Sequence, residues 1–142
     1  MSVPGHLWRF PTRAAIDSLA KRFGLPNEPG MQDWEYEVAD PDRLDEFIDA
    51  YDNGGLSDDE RFTLMETILE SFDELLGASG VLDPRWEQNL ARLDRNIGLH
   101  AHSVWYWSCV GRDDPEEQFR ITTSVRRIFD KHRDRLQTPS KD

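Results

Sequence analysis

The side chains best able to do chemistry are carboxylates that crowd into one stretch of the chain. Residues 33–74, the acidic segment, hold 16 of the 28 Asp and Glu residues and only two basic residues, Arg43 and Arg61. The segment therefore carries a formal charge of −14, whereas the other hundred residues carry +3. Such a surface attracts basic proteins and disfavours nucleic acids and anionic membranes, which bind patches of Lys and Arg.

Periodicity places ten of these carboxylates on outward faces. Side chains advance by about 100° per residue in a helix and alternate in a strand, so residues opposite an apolar stripe face solvent or a partner. The predicted partner-binding residues are Glu35, Glu37, Asp42, Asp45, Glu46, Asp49, Asp59, Glu66, Glu70 and Glu74. Glu66, Glu70 and Glu74 form an i, i+4 row without a basic residue, although like charges at this spacing cost about 0.2–0.5 kcal/mol per pair. The row favours a surface for a basic partner, with a solvated face as the ordinary alternative.

Two other roles are open to the acidic segment. Mg²⁺ and Ca²⁺ bind converging oxygen ligands, but the chain has no calcium loop of the DxDxDG type. The stretches 52–55 and 57–60 fit a helix stop and a helix start instead. The other role is internal neutralisation by basic residues of the predicted last helix, namely Arg126, Arg127, Lys131, Arg133 and Arg135.

His100 and His102, with Cys109 and Asp113 downstream, form a second chemical group. Zinc sites usually show closer paired spacings, and histidines two residues apart on a helix point about 200° apart. Cys109 would act as a nucleophile only if the fold brought a histidine to it. No P-loop, GxGxxG, GxSxG or HExxH motif occurs. The sequence therefore predicts no catalytic residue, no metal and no cofactor.

Three adjacent aromatic residues, Trp105, Tyr106 and Trp107, follow the histidines. Because three successive rings cannot all face one core, we expect Trp105 or Tyr106 to be exposed, where such residues often anchor interfaces. A pocket for a small ligand or substrate near His100, His102, Trp105 and Tyr106 is the alternative functional prediction.

The composition is that of one folded, polar domain. The 142 residues are 37% apolar and 32% charged, and 15 of them are aromatic, which suffices for a core at this length. A single cysteine, Cys109, leaves no intrachain disulfide and fits a reducing compartment. No apolar run reaches signal-peptide length or the ~20 residues that span a bilayer. We therefore expect a soluble, cytoplasmic protein.

Turn signals and apolar periodicity divide the chain mainly into helices. The predicted helices cover residues 11–23, a stretch from Asp40-Pro41 to Gly54-Gly55, residues 58–76, a stretch from Asp83-Pro84 that resumes after Gly98 and reaches Gly111, and a last helix capped by Thr123.

Two short segments predict strands instead. Residues 33–38 alternate between apolar and acidic side chains, and residues 118–122 (QFRIT) look like a second strand. A strand at 103–110 competes with the helix predicted there. The predicted fold is mainly α: a single-domain bundle of five or six helices over residues 1–137. It is either purely helical or carries a small two-stranded ribbon, and residues 138–142 form a flexible tail.

The chain resembles the small acidic bacterial immunity proteins of polymorphic and contact-dependent toxin systems. The stretches that carry the likeness are DWEYEVADPDRLDEFIDAY, LSDDERFTLMETILESFDEL, LHAHSVWYW and FRITTSVR. The resemblance rests on size, acidity and general pattern, and it assigns no residue a role. It implies a non-enzymatic domain that occludes a cognate toxin, for example by covering the basic groove of a nuclease. An oligomeric structural or regulatory subunit is a further alternative.

Overall fold

Helices dominate the protein. The computed structural model describes residues 3–137, and these form eight α-helices, three 3₁₀-helices and no β-strand. The α-helices are α1 (Arg13–Phe23), α2 (Trp34–Glu37), α3 (Leu44–Asn53), α4 (Asp58–Ser79), α5 (Trp86–Arg95), α6 (Ile97–Trp107), α7 (Thr122–Lys131) and α8 (Arg133–Gln137). The 3₁₀-helices are Gly5–Leu7, Pro41–Arg43 and Pro115–Glu117. The mainly α fold class is confirmed. The helix count exceeds the predicted five or six because α2 and α8 are too short for periodicity to reveal.

Contacts between Cα atoms divide the described chain into two units. One unit, residues 10–78, contains 18 acidic and five basic residues and a formal charge of −13. The other consists of residues 3–9 and 79–137 within the described part. The prediction of a single domain over residues 1–137 stays a prediction, and the predicted tail at 138–142 lies outside the described residues.

Local hydrogen bonds set the ends of α1. The hydroxyl of Thr12 accepts a hydrogen bond from the Ala15 amide at 3.1 Å, so the helix begins at Arg13 and not at Pro11. Gly24 ends it with a left-handed φ of 65°, a conformation that costs glycine little. The stop predicted at Gly24 is confirmed.

The predicted caps of α3 and α4 are present. The Asp40 carboxylate accepts a hydrogen bond from the Asp42 amide at 3.0 Å, and the 3₁₀-turn that this bond begins leads into α3. At the start of α4 the Ser57 amide donates to the Glu60 carboxylate at 2.8 Å, and the Glu60 amide donates to the Ser57 hydroxyl at 3.2 Å. These reciprocal bonds confirm the capping box.

The middle of α4 is buried on every side. All eight residues from 62 to 69 are buried, although the helix carries polar side chains there. The hydroxyls of Thr63 and Ser71 donate to carbonyls one turn earlier in α4, and Thr67 donates to the Glu35 carbonyl at 2.7 Å. Such internal partners allow polar groups to be buried at little cost. None of the described helices, the 22-residue α4 included, has an apolar stretch long enough to cross a bilayer.

The alternating segment at 33–38 is not a strand. It forms the single turn α2, in which the Tyr36 amide donates to the Asp33 carbonyl at 2.8 Å and the Val38 amide to the Trp34 carbonyl at 3.1 Å. A lone strand would leave these groups unpaired, whereas a helical turn pairs them locally. Trp34 and Val38 are both buried because residues four apart share one side of a helix.

The other strand predictions are wrong as well. Residues 118–122 form a turn into α7, in which the Thr122 hydroxyl accepts from the Phe119 amide at 3.0 Å and donates to the Trp107 carbonyl at 2.8 Å. The region 103–110 is helical as far as Trp107. The predicted ribbon is therefore absent from the described residues.

In the unit that contains residues 79–137, helices α5, α6 and α7 pack against one another. Trp86, Leu93, Val104, Trp107 and Val125 are each at most 1% exposed. The Asp83 carboxylate accepts from the Arg85 amide at 2.8 Å, but this bond belongs to a turn, and α5 begins at Trp86, two residues after the start predicted at Asp83-Pro84.

Candidate partner-binding surface

The ten predicted partner-binding carboxylates differ in exposure. Seven are exposed, namely Glu37, Asp42, Asp45, Glu46, Asp49, Asp59 and Glu74. Glu70 is half-buried. Glu35 and Glu66 are only 8% and 2% exposed, so neither lies on an outward face as expected, and their role in partner binding stays a prediction.

The largest group of exposed carboxylates follows α3. Asp42, Asp45, Glu46 and Asp49, which we term the α3 acidic face, are exposed, and the opposite side of α3 is buried. Asp52 is also exposed and extends the row by a further turn. Its i+3 spacing from Asp49 could have identified it in the sequence.

Arg43, a basic residue just before α3, is held by contacts within its own unit. Arg43 donates two hydrogen bonds to the Glu46 carboxylate at 2.9 and 2.7 Å and a third to the Phe23 carbonyl at 2.8 Å. Its guanidinium also lies 5.6 Å from the centre of the Phe47 ring. The bonds from Arg43 lower the pKa of Glu46, which keeps that carboxylate ionised.

The helix dipole acts differently on the acids at the two ends of α3. Asp45 and Glu46 occupy the first turn, where negative charge is favourable because of the helix dipole. Asp49 and Asp52 lie in the second half, and the last turn of α3 contains no basic residue. Acids near a helix C-terminus are unfavourable by about 0.3–1 kcal/mol each. The helix dipole therefore does not favour these two acids, although Asp49 accepts a hydrogen bond from the Asn53 side chain at 2.9 Å.

The acidic start of α4 has a simpler explanation. Asp58, Asp59 and Glu60 lie in its first turn, which favours negative charge. Glu60 belongs to the capping box, and it also accepts a 2.5 Å hydrogen bond from Ser18. That bond from Ser18 is the main cause of the lowered pKa of Glu60. Asp59 is thus exposed but has a structural role available to it.

Glu66 lies inside the protein because α2 packs on the side of α4 that periodicity assigned to solvent. The Tyr36 hydroxyl donates to Glu66 Oε1 at 2.5 Å, and Thr67 bonds the backbone of the same turn. The row Glu66, Glu70 and Glu74 therefore runs from a buried carboxylate to an exposed one.

Glu35 lines a cavity of about 210 Å³ in the unit of residues 10–78. Burial raises the pKa of Glu35, its own backbone amide partly opposes this, and the charge of Asp33 adds to the rise. The alternation predicted that Glu35 would point away from Trp34. In the helical turn α2 both side chains are buried.

The two histidines occupy different environments. His100 is fully buried and has non-helical backbone angles inside α6. His102 is half-buried between aromatic rings, with its centroid 5.5 Å from Trp8 and 6.4 Å from Tyr106. Burial lowers the pKa of His102. Tyr106 is 38% exposed and Trp105 only 6%, which confirms that one ring of this pair faces outward.

A second cavity, of about 320 Å³, lies between the end of α6 and α7. Arg126 lines it and donates to the carbonyls of Ser108, Cys109 and Arg112 at 2.7, 3.1 and 2.7 Å. Arg133 also lines it and pairs with Asp130. Neither His100 nor His102 lines either of these two cavities, and the predicted ligand pocket at the histidines stays a prediction.

Basic residues of α7 have partners within their own unit. Arg127 pairs with Glu87 at 3.0 Å, and Lys131 pairs with Asp94 at 2.6 Å. His132 binds the other oxygen of Asp94 at 2.7 Å. These acids lie outside the acidic segment.

Cys109 is buried, and its sulfur lies 3.4 Å from the Thr122 hydroxyl. Within residues 3–137, no group of three or more His, Cys, Asp or Glu side chains is placed to hold a metal ion.

No known protein family, curated protein or solved structure matches the chain.

Proposed function

We propose that the protein is a non-enzymatic binding protein that recognises a basic protein through the α3 acidic face. The observation that carries this proposal is the α3 acidic face itself: its four carboxylates are all exposed on the side of α3 opposite the buried residues. A row of like charges on one helix face lowers helix stability, and a role in binding a basic partner accounts for its presence.

Charge on the surrounding surface supports the same conclusion. Ten of the 16 carboxylates of the acidic segment are exposed, whereas Arg43 and Arg61 are half-buried. Arg61 lies over the ring of Tyr51 at 4.7 Å, so both basic side chains of the segment are held against aromatic rings. A field of one sign speeds the encounter with a basic partner and disfavours acidic competitors.

The activity that we propose is immunity: the protein neutralises a cognate toxin in the bacterial cytoplasm by covering a basic surface of it. The resemblance to small acidic immunity proteins supports this activity, and a nuclease is a suitable toxin because its substrate groove must be basic. The interface would require no cofactor, metal, nucleic acid or membrane.

Capture of the partner tests the proposal. The purified protein would be immobilised, exposed at low salt to lysate of the cells that make it, and washed with rising salt. We expect one basic protein to bind in stoichiometric amount and to elute as salt rises, since exposed charges are screened beyond about 8–10 Å near physiological ionic strength. Expression of that protein alone should stop growth, and coexpression with this chain should restore it.

Three outcomes separate the parts of the proposal. Retention of nothing, or of a mixture of basic proteins, would indicate that the acidic segment is a solvated face without a specific partner. Capture of one basic protein that is harmless to cells would leave the binding role and overturn immunity. A partner whose complex stays intact at high salt would contradict the proposal that exposed charges hold the interface together. The mass of the protein in solution would test the alternative of an oligomeric subunit.

A further inference from the structure

The cavity beside Glu35 has the size of one side chain. Its volume of about 210 Å³ corresponds to roughly seven water molecules at ~30 Å³ each, which is below the ~300–1,000 Å³ typical of sites for drug-sized ligands. Four of its eight lining residues, Pro11, Ile16, Met31 and Trp34, form an apolar wall, while most of the exposed lining is polar. A lining of both kinds fits a side chain that has an alkyl part and a polar end.

Three charged side chains line the same cavity, namely Arg13, Asp33 and Glu35. The Arg13 guanidinium donates hydrogen bonds to the Asp17 carboxylate at 3.4 Å and to the Asn27 side-chain carbonyl at 3.1 Å. The charge that acts on Glu35 is that of Asp33, which is also negative. The two carboxylates therefore lack a cation of their own in the cavity.

Glu35 is the most informative of these groups. It is 8% exposed, and its carboxylate has no ion pair and no bond to another side chain among residues 3–137. A buried carboxylate in this condition is costly, and a paired cation relieves that cost. The cavity thus combines an apolar wall with an uncompensated acid at its edge.

We infer that this cavity receives the cationic end of an Arg or Lys side chain from the protein partner. The alkyl part of such a side chain would lie against the apolar wall while its charge pairs with Glu35 and Asp33. Arg fits better than Lys, because its planar guanidinium can bond both carboxylates at once. This anchor rests on the proposed function, since it assigns the cation to a protein.

A titration with single amino-acid probes tests the chemistry without a partner. The probes are N-acetyl-arginine amide, N-acetyl-lysine amide and, as the neutral control, N-acetyl-citrulline amide. Binding would be followed by NMR through the indole N–H of Trp34, which donates to the Pro26 carbonyl at 2.7 Å. We expect millimolar binding of the arginine probe, weaker binding of the lysine probe and none of the citrulline probe.

Matched variants locate the binding. Glu35→Gln should weaken the arginine probe by at least about tenfold, as expected for the loss of one charged hydrogen bond. Asp33→Asn should weaken it too, and asparagine tolerates the positive φ of 52° at this position. Glu37→Gln removes an exposed charge from the same turn and should leave the affinity for the arginine probe unchanged. Equal binding of the citrulline probe, equal binding to Glu35→Gln, or no binding of any probe would each overturn the inference.

The complex with the captured partner distinguishes the two sources of the cation. If the partner fills the cavity, the arginine probe should no longer shift the Trp34 signal in the complex. A probe that still binds there would overturn the partner anchor and assign the cavity to a free small cation. The probe titration needs no partner and tests only the cavity. Partner capture tests the α3 acidic face, so the failure of one experiment can be told from the failure of the other.

Discussion

The Tyr36 hydroxyl donates a 2.5 Å hydrogen bond to Oε1 of Glu66, and this bond joins α2 to the middle of α4. Glu66 is 2% exposed, and the neighbouring Thr67 bonds the Glu35 carbonyl. A carboxylate that periodicity placed on the surface is therefore part of the contact between two helices. Charge reversal at Glu66 accordingly tests stability and cannot test partner binding.

Glu66→Lys should destabilise the fold strongly. It would bury an unpaired ammonium and leave the Tyr36 hydroxyl without its acceptor, at a cost of about 3–5 kcal/mol. Glu74→Lys, an exposed change on the same helix, should stay within about 0.5 kcal/mol of the parent. Urea unfolding of both variants measures the difference. Equal stability of the two would show that the buried bond contributes little.

Local sequence signals predicted the structure correctly where residues close in the chain hydrogen-bond to each other. Ser57 and Glu60 lie three residues apart, and their side chains bond each other's backbone, so no other part of the chain is needed. Glu35 and Glu66 are different, because their burial depends on the packing of α2 against α4. The sequence pattern of α2 fits a strand as well as a helical turn, and nothing within six residues settles the choice.

The same reasoning explains which part of the candidate surface could be predicted. α3 has one buried side and one exposed side, so its apolar stripe identifies its acidic face. α4 is buried all round from 62 to 69, and an argument from one apolar stripe fails there. The cavity beside Glu35 could not be predicted, since its wall comes from three separate stretches of the chain.

Removal of the capping hydroxyl should weaken α4 measurably. Ser57→Ala deletes the acceptor of the Glu60 amide and should lower the free energy of unfolding by about 1 kcal/mol. Ser57→Gly should cost only a few tenths of a kcal/mol, although it lacks the same hydroxyl. Urea unfolding of the two variants checks this order, and a harmless Ser57→Ala would indicate that water replaces the cap.

The pH dependence of stability should report the burial of Glu35. Burial raises the pKa of Glu35 in the folded protein, so protonated Glu35 contributes stability that is present below the unfolded pKa of about 4.3. That contribution is lost as pH rises through the folded pKa. Glu35→Gln is neutral at every pH, so its stability relative to the parent should increase between about pH 4 and about pH 7.

Unfolding free energies of the parent, Glu35→Gln and Glu37→Gln at both pH values measure this effect. Glu37 is exposed and serves as the control from the same turn. A Glu35→Gln variant that differs from the parent equally at both pH values would contradict the raised pKa.

Charge reversal of the α3 acidic face should separate binding from stability. The variant Asp42→Lys, Asp45→Lys and Asp49→Lys removes like-charge neighbours and places a cation in the second half of α3, where the helix dipole favours it. Because the changes at Asp42 and Asp45 place cations near the start of α3, where the dipole disfavours them, we expect the gains and losses to offset and the unfolding free energy to stay within about 1 kcal/mol of the parent. Affinity for the captured basic partner should fall by at least about tenfold, or 1.4 kcal/mol, mainly through slower association.

The matched control changes the same number of charges outside the acidic segment. Asp113→Lys, Glu116→Lys and Glu117→Lys alter three exposed acids and shift the net charge equally. Association rates of the parent and both variants would be measured at several salt concentrations. The parent and the control should slow together as salt rises, whereas the α3 variant should be slow throughout and nearly independent of salt. Equal slowing by both variants would mean that net charge, and not the α3 acidic face, attracts the partner.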